Sequence, residues 1–235
     1  MQAVILAAGL GTRLSSRTGG LPKSFSVLNG EKLIDRNIRM LNERGVEDVH
    51  VVTGYKSEIF IKEINNVSQF HVNPLYFCTN VLASFAVAMH VLNDDFIFLH
   101  ADTVFEEEIL NRLIKSDGDV VLPIDYKEVG EEEMKVIVSS DQCVTALSKC
   151  LRPEVAHGEF IGLARIRKSV LPELKKSVTD ILKYRNFQNS FFEESLNFLR
   201  DNGFKLTALD VTGCAWSEID FPEDLDYAQA VMKNK

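Results

Sequence analysis

Two glycines and four charged side chains carry most of the chemistry that this sequence offers. Gly9 and Gly11 lie in "AAGLGTR", directly behind the apolar run Ala3-Val4-Ile5. Arg13 follows at once, and Pro22-Lys23 comes ten residues later. A strand delivering the chain to such a turn permits close approach of backbone to a ligand. Arg13 and Lys23 add two cations to the backbone N–H groups there, a combination suited to a triphosphate. The loop is neither of the two common phosphate-binding glycine motifs. Leu14 stands where the dinucleotide fingerprint needs its third glycine, and no Gly-Lys-Ser/Thr follows. A plain strand–turn with basic surface residues is the competing reading.

The opposing charges come from further along. Asp102 closes the apolar run "FIFLHA", and Asp220 ends "WSEID". The carboxyl end of a central parallel strand is where open α/β sheets bind ligands. Two carboxylates from distant segments could hold a hard cation such as Mg2+, with phosphate oxygens completing its shell. Each could instead cap a helix, Asp102 ahead of "VFEEEIL" and Asp220 ahead of Pro222. Glu218 is a weaker metal candidate, and His100 reads as a packing or hydrogen-bonding residue. Trp216 is the only tryptophan, and "FFEE" sets Glu193 and Glu194 beside Phe191 and Phe192. An aromatic wall with carboxylates suits an ammonium group. Helical spacing nonetheless favours core packing for the phenylalanines and a solvated face for the glutamates, with Tyr184 equally unremarkable.

Composition limits the partners. The chain has 235 residues, 46% hydrophobic and 26% charged, with a net charge of −8. That acidity argues against nucleic-acid binding, which leans on a basic surface. No apolar stretch is long enough to span a membrane, and the opening residues lack the pattern of a signal peptide. Cys78, Cys143, Cys150 and Cys214 show no paired spacing, so free thiols in a reducing cytoplasm are expected. No oligomeric state is fixed by the sequence, and a dimer is compatible with it. An acidic protein that handles polyphosphate must concentrate its positive charge locally or recruit a metal.

These groups must be positioned by alternating strands and helices. Strands are expected at residues 2–7, 48–55, 95–102 and 119–126, with helices at 33–44, 81–92 and 106–115 between them. This predicts an α/β fold with a doubly wound, mostly parallel sheet through about residue 125. The second half predicts a strand pair, "KVIVSS" and "CVTALSK", turning at residues 139–142, and a strand "EFIGLARI". A helix over "FFEESLNFLRDNG", a strand "KLTALDV" and a closing helix from Pro222 complete it. One domain over residues 1–235, with a small antiparallel acceptor-side subregion, is the expectation.

Taken together, "AVILAAGLGTRL", "LPKSF", "VVTGY", "HADTVF" and "WSEID" resemble the nucleotidyltransferases that load a phosphorylated small molecule onto a nucleotide, a fold similar to that of GT-A glycosyltransferases. The resemblance covers essentially the whole chain. It implies nucleotide binding by Leu6, Ala7, Ala8, Gly9, Gly11, Thr12, Arg13, Lys23, Asn80, Ser84 and Ala101, with Lys23 and Arg13 catalytic. It implies Mg2+ on Asp102 and Asp220. "TNVLASFAVA", "EMKVIV", "LSK" and "GEFIGLARI" look most like the cytidylyltransferases of phosphocholine and of phosphonates such as 2-aminoethylphosphonate. CTP and a small phosphate or phosphonate acceptor are thereby implied, with pyrophosphate as product. Lys135 and Lys149 are the candidates for the acceptor's phosphate or phosphonate, and Glu159, Trp216 and Glu218 for the rest of it. A sugar-1-phosphate nucleotidyltransferase using another nucleotide is the alternative. A glycosyltransferase is disfavoured because the strand ends "ADTV" and not Asp-x-Asp.

Overall fold

The computed structural model describes residues 1–185 and 187–232. The buried run β1 (Gln2–Ala7) leads through a short helical turn, α1 (Ser15–Thr18), to the small hairpin β2 (Val27–Leu28) and β3 (Glu31–Lys32). Then come α2 (Leu33–Asn42), β4 (Asp48–Thr53), α3 (Ser57–Glu63), β5 (Gln69–Val72), α4 (Val81–Ala88) and β6 (Phe96–His100). β1 lies between β4 and β6 and pairs parallel with both, while β5 extends the parallel set beyond β4. The crossover helices cover both faces, as the alternation predicts.

Side-chain parity shows why. Ala3, Ile5 and Ala7 of β1 join Ile97 and Leu99 of β6 under α2 and the later α5 (Glu107–Lys115). Val4, Leu6, Phe96 and Phe98 face the other way, toward α4. Successive residues of a strand point to opposite faces, so both helical layers are specified by one run of apolar residues.

Beyond β6 the sheet departs from a simple doubly wound plan. β7 (Thr103–Phe105) leaves it altogether. β8 (Val120–Asp125) does not join the parallel set directly, because an antiparallel strand intervenes. β9 (Lys135–Val138) and β10 (Val144–Ser148) form the expected antiparallel pair, turning at Gln142, whose φ is 59°. The segment read as one strand, "EFIGLARI", is two. β11 (Gly158–Phe160) pairs with β8 and β9, and β12 (Leu163–Ile166) pairs with β8 and β6. Gly162, at φ 79°, makes the break. The sheet therefore forks there, with β6 on one arm and β9 on the other.

α6 (Leu171–Tyr184) was not assigned from the sequence, although Leu171, Leu174, Val178 and Ile181 have helical spacing and all are buried. α7 (Phe192–Asp201) packs beside it and drives Phe192 onto Phe98, ring centroids 3.8 Å apart. β13 (Leu206–Asp210) runs parallel to β8. β14 (Trp216–Glu218) then pairs with β7, and α8 (Pro222–Met232) closes the described chain. Among the described residues no helix is long and apolar enough to cross a membrane. All four cysteines are free thiols.

At the β4–β5 edge, His50 Nδ1 and His71 Nε2 lie 3.1 Å apart, with the ring of His90 5.7 Å from that of His71. Burial, then the neighbouring His50 and His90, push the His71 imidazole down to about 4. Burial also lowers His50, although Asp48 opposes it. An unfolded chain takes up these protons near the ordinary histidine value of 6.5, which the folded one resists, so stability falls as pH drops from about 6.5 toward 4. Urea midpoints at pH 7.5 and pH 5 are expected to show this fall, and His71→Gln should shrink the difference between them.

Candidate active site

The carboxyl ends of β1 and β6 meet side by side, and Ala101 N donates to Leu6 O at 3.0 Å. From β1 the chain turns at Gly11, whose φ is 59°. A Cβ there would lie 2.9 Å from the Lys23 Cβ, so the glycine is what lets the loop pack against the lysine segment. Leu14 and Leu28 sink into a small apolar cluster with Val104, Ile219 and Leu225. That cluster fastens the glycine loop to the β7–β14 ribbon and to α8.

Lys23 Nζ lies 2.7 Å from Asp102 Oδ2 and also donates to Asp220 Oδ1. Three segments far apart in sequence thus converge on one ammonium. Arg13 Nη1 stands 3.9 Å from Asp220 Oδ2, with its guanidinium 5.2 Å from the centre of the Phe221 ring. Burial pushes the Lys23 ammonium down, but Asp102 and Asp220 outweigh it and hold it above the usual lysine value. Burial pushes the Asp102 carboxyl up, and Lys23 with His100 more than offsets this, leaving it below the usual range.

Neither aspartate is spent on capping. Glu106 occupies the cap position of α5. At α8 it is Asp224 Oδ2 that accepts from the N–H groups of Asp220 and Phe221, at 2.8 and 2.7 Å. Ile219 N donates to Asp102 O at 3.0 Å, and Glu218 stands opposite Thr103 in the ribbon. That pairing, which the sequence did not reveal, is what sets Asp220 beside Asp102.

A cleft of about 230 Å³ is lined by Leu6, Ala7, Gly9, Gly11, Thr12, Arg13, Lys23, Ala101, Asp102 and Asp220, all of them expected at the site. It adjoins a cavity of about 800 Å³ at the fork of the sheet. Ala8, Asn80, Ser84, Lys149, Glu159, Trp216 and Glu218 border this larger space. Asn80 caps α4 by accepting from Val81 N at 2.8 Å. Asn73, buried and unforeseen, donates to Ser84 Oγ at 3.0 Å and fixes that wall.

Lys135 is a correction. Its residue is fully buried, and its ammonium donates to the carbonyls of Gly130, Glu131 and Glu133 at 3.1, 2.6 and 3.3 Å. It secures the loop that brings Glu132, Glu133 and Met134 to the cavity, and does not itself face an acceptor.

Glu193 is the opposite case. It lies on no solvated face: the residue is 4% exposed, borders the cavity, and its Oε2 has no hydrogen-bond partner. Burial raises its carboxyl, against the pull of His100. Burying the adjacent Phe192 contributes ~2–3 kcal/mol, which offsets the ~1–3 kcal/mol cost of one unpaired buried polar atom. Phe191 also borders the cavity, whereas Glu194 caps α7 through Phe191 N at 2.9 Å and Tyr184 is exposed. Helical spacing cannot show that the first turn of α7 opens into a cavity.

His100, read as a packing or hydrogen-bonding residue, borders the cavity. One ligand atom each from His100, Asp102 and Glu218 lies within 4.8 Å of the others. Although Glu218 is exposed as a residue, desolvation of its carboxyl in the cleft, then the charges of Asp102 and Asp220, push that carboxyl up to about 7.

The fold is that of a nucleotidyltransferase. Residues 3–175 match the MobA-like NTP transferase domain, and the chain belongs to that family. Its relatives include the choline-phosphate cytidylyltransferase of Streptococcus pneumoniae, 33% identical with both chains fully covered. The CTP:phosphoglutamine cytidylyltransferase of Campylobacter jejuni is 25% identical over 96% of this chain and 98% of that one. The CMP-5'-(3-aminopropyl)phosphonate synthase of Streptomyces rubellomurinus is 33% identical over 95% of this chain, which spans 37% of that longer protein. In fold, the chain matches the CTP:phosphocholine cytidylyltransferase of S. pneumoniae with a TM-score of 0.81, at 21% identity and 99% coverage of each.

A carboxyl raised in the folded state favours folding at low pH and loses that contribution as pH rises from the unfolded value of 4.5 through about 7. Glu218→Gln is therefore expected to melt at a higher temperature than the parent at pH 8 and to lose that advantage near pH 4.5.

Proposed function

We propose that this protein is a magnesium-dependent cytidylyltransferase joining CTP to a small phosphonate or phosphate monoester, of the 2-aminoethylphosphonate or phosphocholine type, with release of pyrophosphate. The observation that carries the reading is the single cation, Lys23, in contact with both Asp102 and Asp220 beside the glycine loop. A pair of carboxylates that closes on one cation fits a hard divalent ion. Asp102 and Asp220 would hold Mg2+, which when bound supplies charge neutralisation on phosphate oxygens.

The chain's own residues do the rest. The loop from Ala8 to Arg13 cradles the triphosphate, and Asn80 and Ser84 form the wall for the base. Lys23 remains protonated throughout the physiological range, and turns from the carboxylates to an oxygen of the α-phosphate. The acceptor oxygen is already anionic near neutral pH, so no strong base is needed. It attacks the α-phosphorus in line, a P–O bond forms, the bond to the bridging oxygen breaks, and pyrophosphate leaves with the electron pair. Catalysis then rests on positioning and charge stabilisation.

The acceptor cavity supports a cationic acceptor over a neutral sugar. Glu132, Glu133, Glu159, Glu193 and Glu218 border it, against the cations Lys149 and Arg13. A sugar-1-phosphate would bring hydroxyls but no positive charge to that field. In this reading Lys149 receives the phosphonate, and Glu193 receives the ammonium.

A pyrophosphate-release screen crossing the four ribonucleoside triphosphates with 2-aminoethylphosphonate, hydroxyethylphosphonate, phosphocholine and glucose-1-phosphate tests the assignment. CTP with an ammonium-bearing acceptor is the expected best pair, and preference for glucose-1-phosphate would replace the reading with its sugar alternative. Lys23→Ala is expected to lower turnover by ~100-fold or more while the fold survives, as for loss of a charge contact to the transition state. Asp102→Asn should abolish the response of turnover to added Mg2+, and an unchanged magnesium titration would move the metal elsewhere.

A further inference from the structure

Beside the acceptor cavity the protein has built an ammonium-binding box and filled it. Lys127 Nζ lies 4.7 Å from the centre of the Trp216 ring, 2.9 Å from Glu159 Oε2 and 3.7 Å from Asp125 Oδ2. Asp125 Oδ2 also accepts from Trp216 Nε1 at 3.0 Å, which locks the ring in place. An aromatic face flanked by carboxylates is the chemistry that recognises an alkylammonium group. Trp216 and Glu159 both border the cavity, so the box adjoins the acceptor's space. The Lys127 side chain is 40% exposed and reaches the box from the solvent side, whereas that of Glu159 is only 10% exposed.

Glu132, Glu133, Glu193 and Glu218 also border the cavity, and among these the Glu193 end is distinguished by its burial. There a buried carboxylate oxygen has no partner. Such an oxygen is satisfied by an N–H donor. A primary ammonium brings three of them, whereas a trimethylammonium group brings none and depends on aromatic faces for its binding.

We propose that Lys127 is a specificity-determining residue: its ammonium occupies the Trp216–Glu159–Asp125 box, excludes quaternary ammonium groups from it, and leaves the site selective for acceptors carrying a primary amine. The inference rests on the cytidylyltransferase reading and deepens it. It assigns the chain to aminoalkyl phosphonate or phosphate acceptors and away from phosphocholine.

Truncating Lys127 empties the box without touching the nucleotide cleft. Lys127→Ala should shift the ratio of kcat/KM for phosphocholine over 2-aminoethylphosphonate upward by ~10-fold or more, about 1.4 kcal/mol of discrimination. Lys127→Arg, which keeps a cation over the ring, should leave the ratio near that of the parent. A second measurement does not need turnover. Trp216 is the only tryptophan, so its fluorescence reports the box directly. Tetramethylammonium should change that fluorescence saturably in Lys127→Ala and leave the parent unchanged over the same range. Circular dichroism checks the fold, and Lys127→Ser provides a second truncation. Equal responses to tetramethylammonium in parent and truncated variants, or no response in either, would overturn the proposal, as would an unmoved acceptor ratio. A parent that releases no pyrophosphate with any acceptor would instead overturn the cytidylyltransferase reading, while the fluorescence titration still decides the role of Lys127.

Discussion

The ammonium of Lys23 between Asp102 and Asp220 is the constraint around which the rest of the structure is arranged. Two carboxylates at one end of a sheet repel, and withdrawing them from water raises the cost of their charge. A cation shared between them relieves both terms. To bring the three groups together the fold must align β1 with β6, let Gly11 pass close to Lys23, and lay β14 against β7. The small cluster of Leu14, Leu28, Val104, Ile219 and Leu225 ties the last two of these requirements into one apolar contact. Asp224 completes the arrangement by taking over the capping of α8, so that Asp220 keeps its charge for the cleft.

Much of this was legible in the sequence because the signals are local and strong. The buried strand, the glycine turn, the Pro-Lys pair and the aspartate at the end of an apolar run each announce themselves within a few residues. Except for Asp220, the residues lining the cleft beside the glycine loop lie in or next to those stretches. What was illegible depends on contacts between distant segments. The pairing of β7 with β14 involves three residues on each side and has no periodicity to detect. The lysine of "EMKVIV" appeared free to bind an anion, and only the backbone of the preceding loop shows that it is fully engaged. Glu193 looked solvated because its helix is amphipathic, yet its neighbour Phe192 is held so firmly against Phe98 that the first turn is drawn inward. The break at Gly162 was hidden within an unbroken apolar run.

Charge divides the two adjoining spaces. The glycine loop contributes Arg13 and Lys23 to the smaller cleft, whereas the charged residues bordering the larger cavity are mostly carboxylates. A chain with a net charge of −8 thereby presents cations where a polyphosphate would lie and anions where an ammonium would lie. Within the acceptor wall the carboxylates differ in how they are satisfied. Glu159 already has Lys127 at 2.9 Å, and Glu193 has an oxygen with no partner. An incoming ligand gains most at the group that the protein has left unsatisfied.

The fork at Gly162 has a consequence for how such a protein can diversify. The parallel arm carries the strand ends that frame the cleft beside the glycine loop, and its geometry is fixed by continuous pairing of β6, β1, β4 and β5. The antiparallel arm, formed by β8 to β11, bears Glu159 and the loops reaching Lys127 and Lys149. The strands of both arms share one apolar core, but the loops of the second lie beyond that break and can vary without altering the strand pairing of the first. A scaffold divided in this way can exchange one alcohol, amine or acid recognition surface for another while its phosphoryl-transfer half stays unchanged.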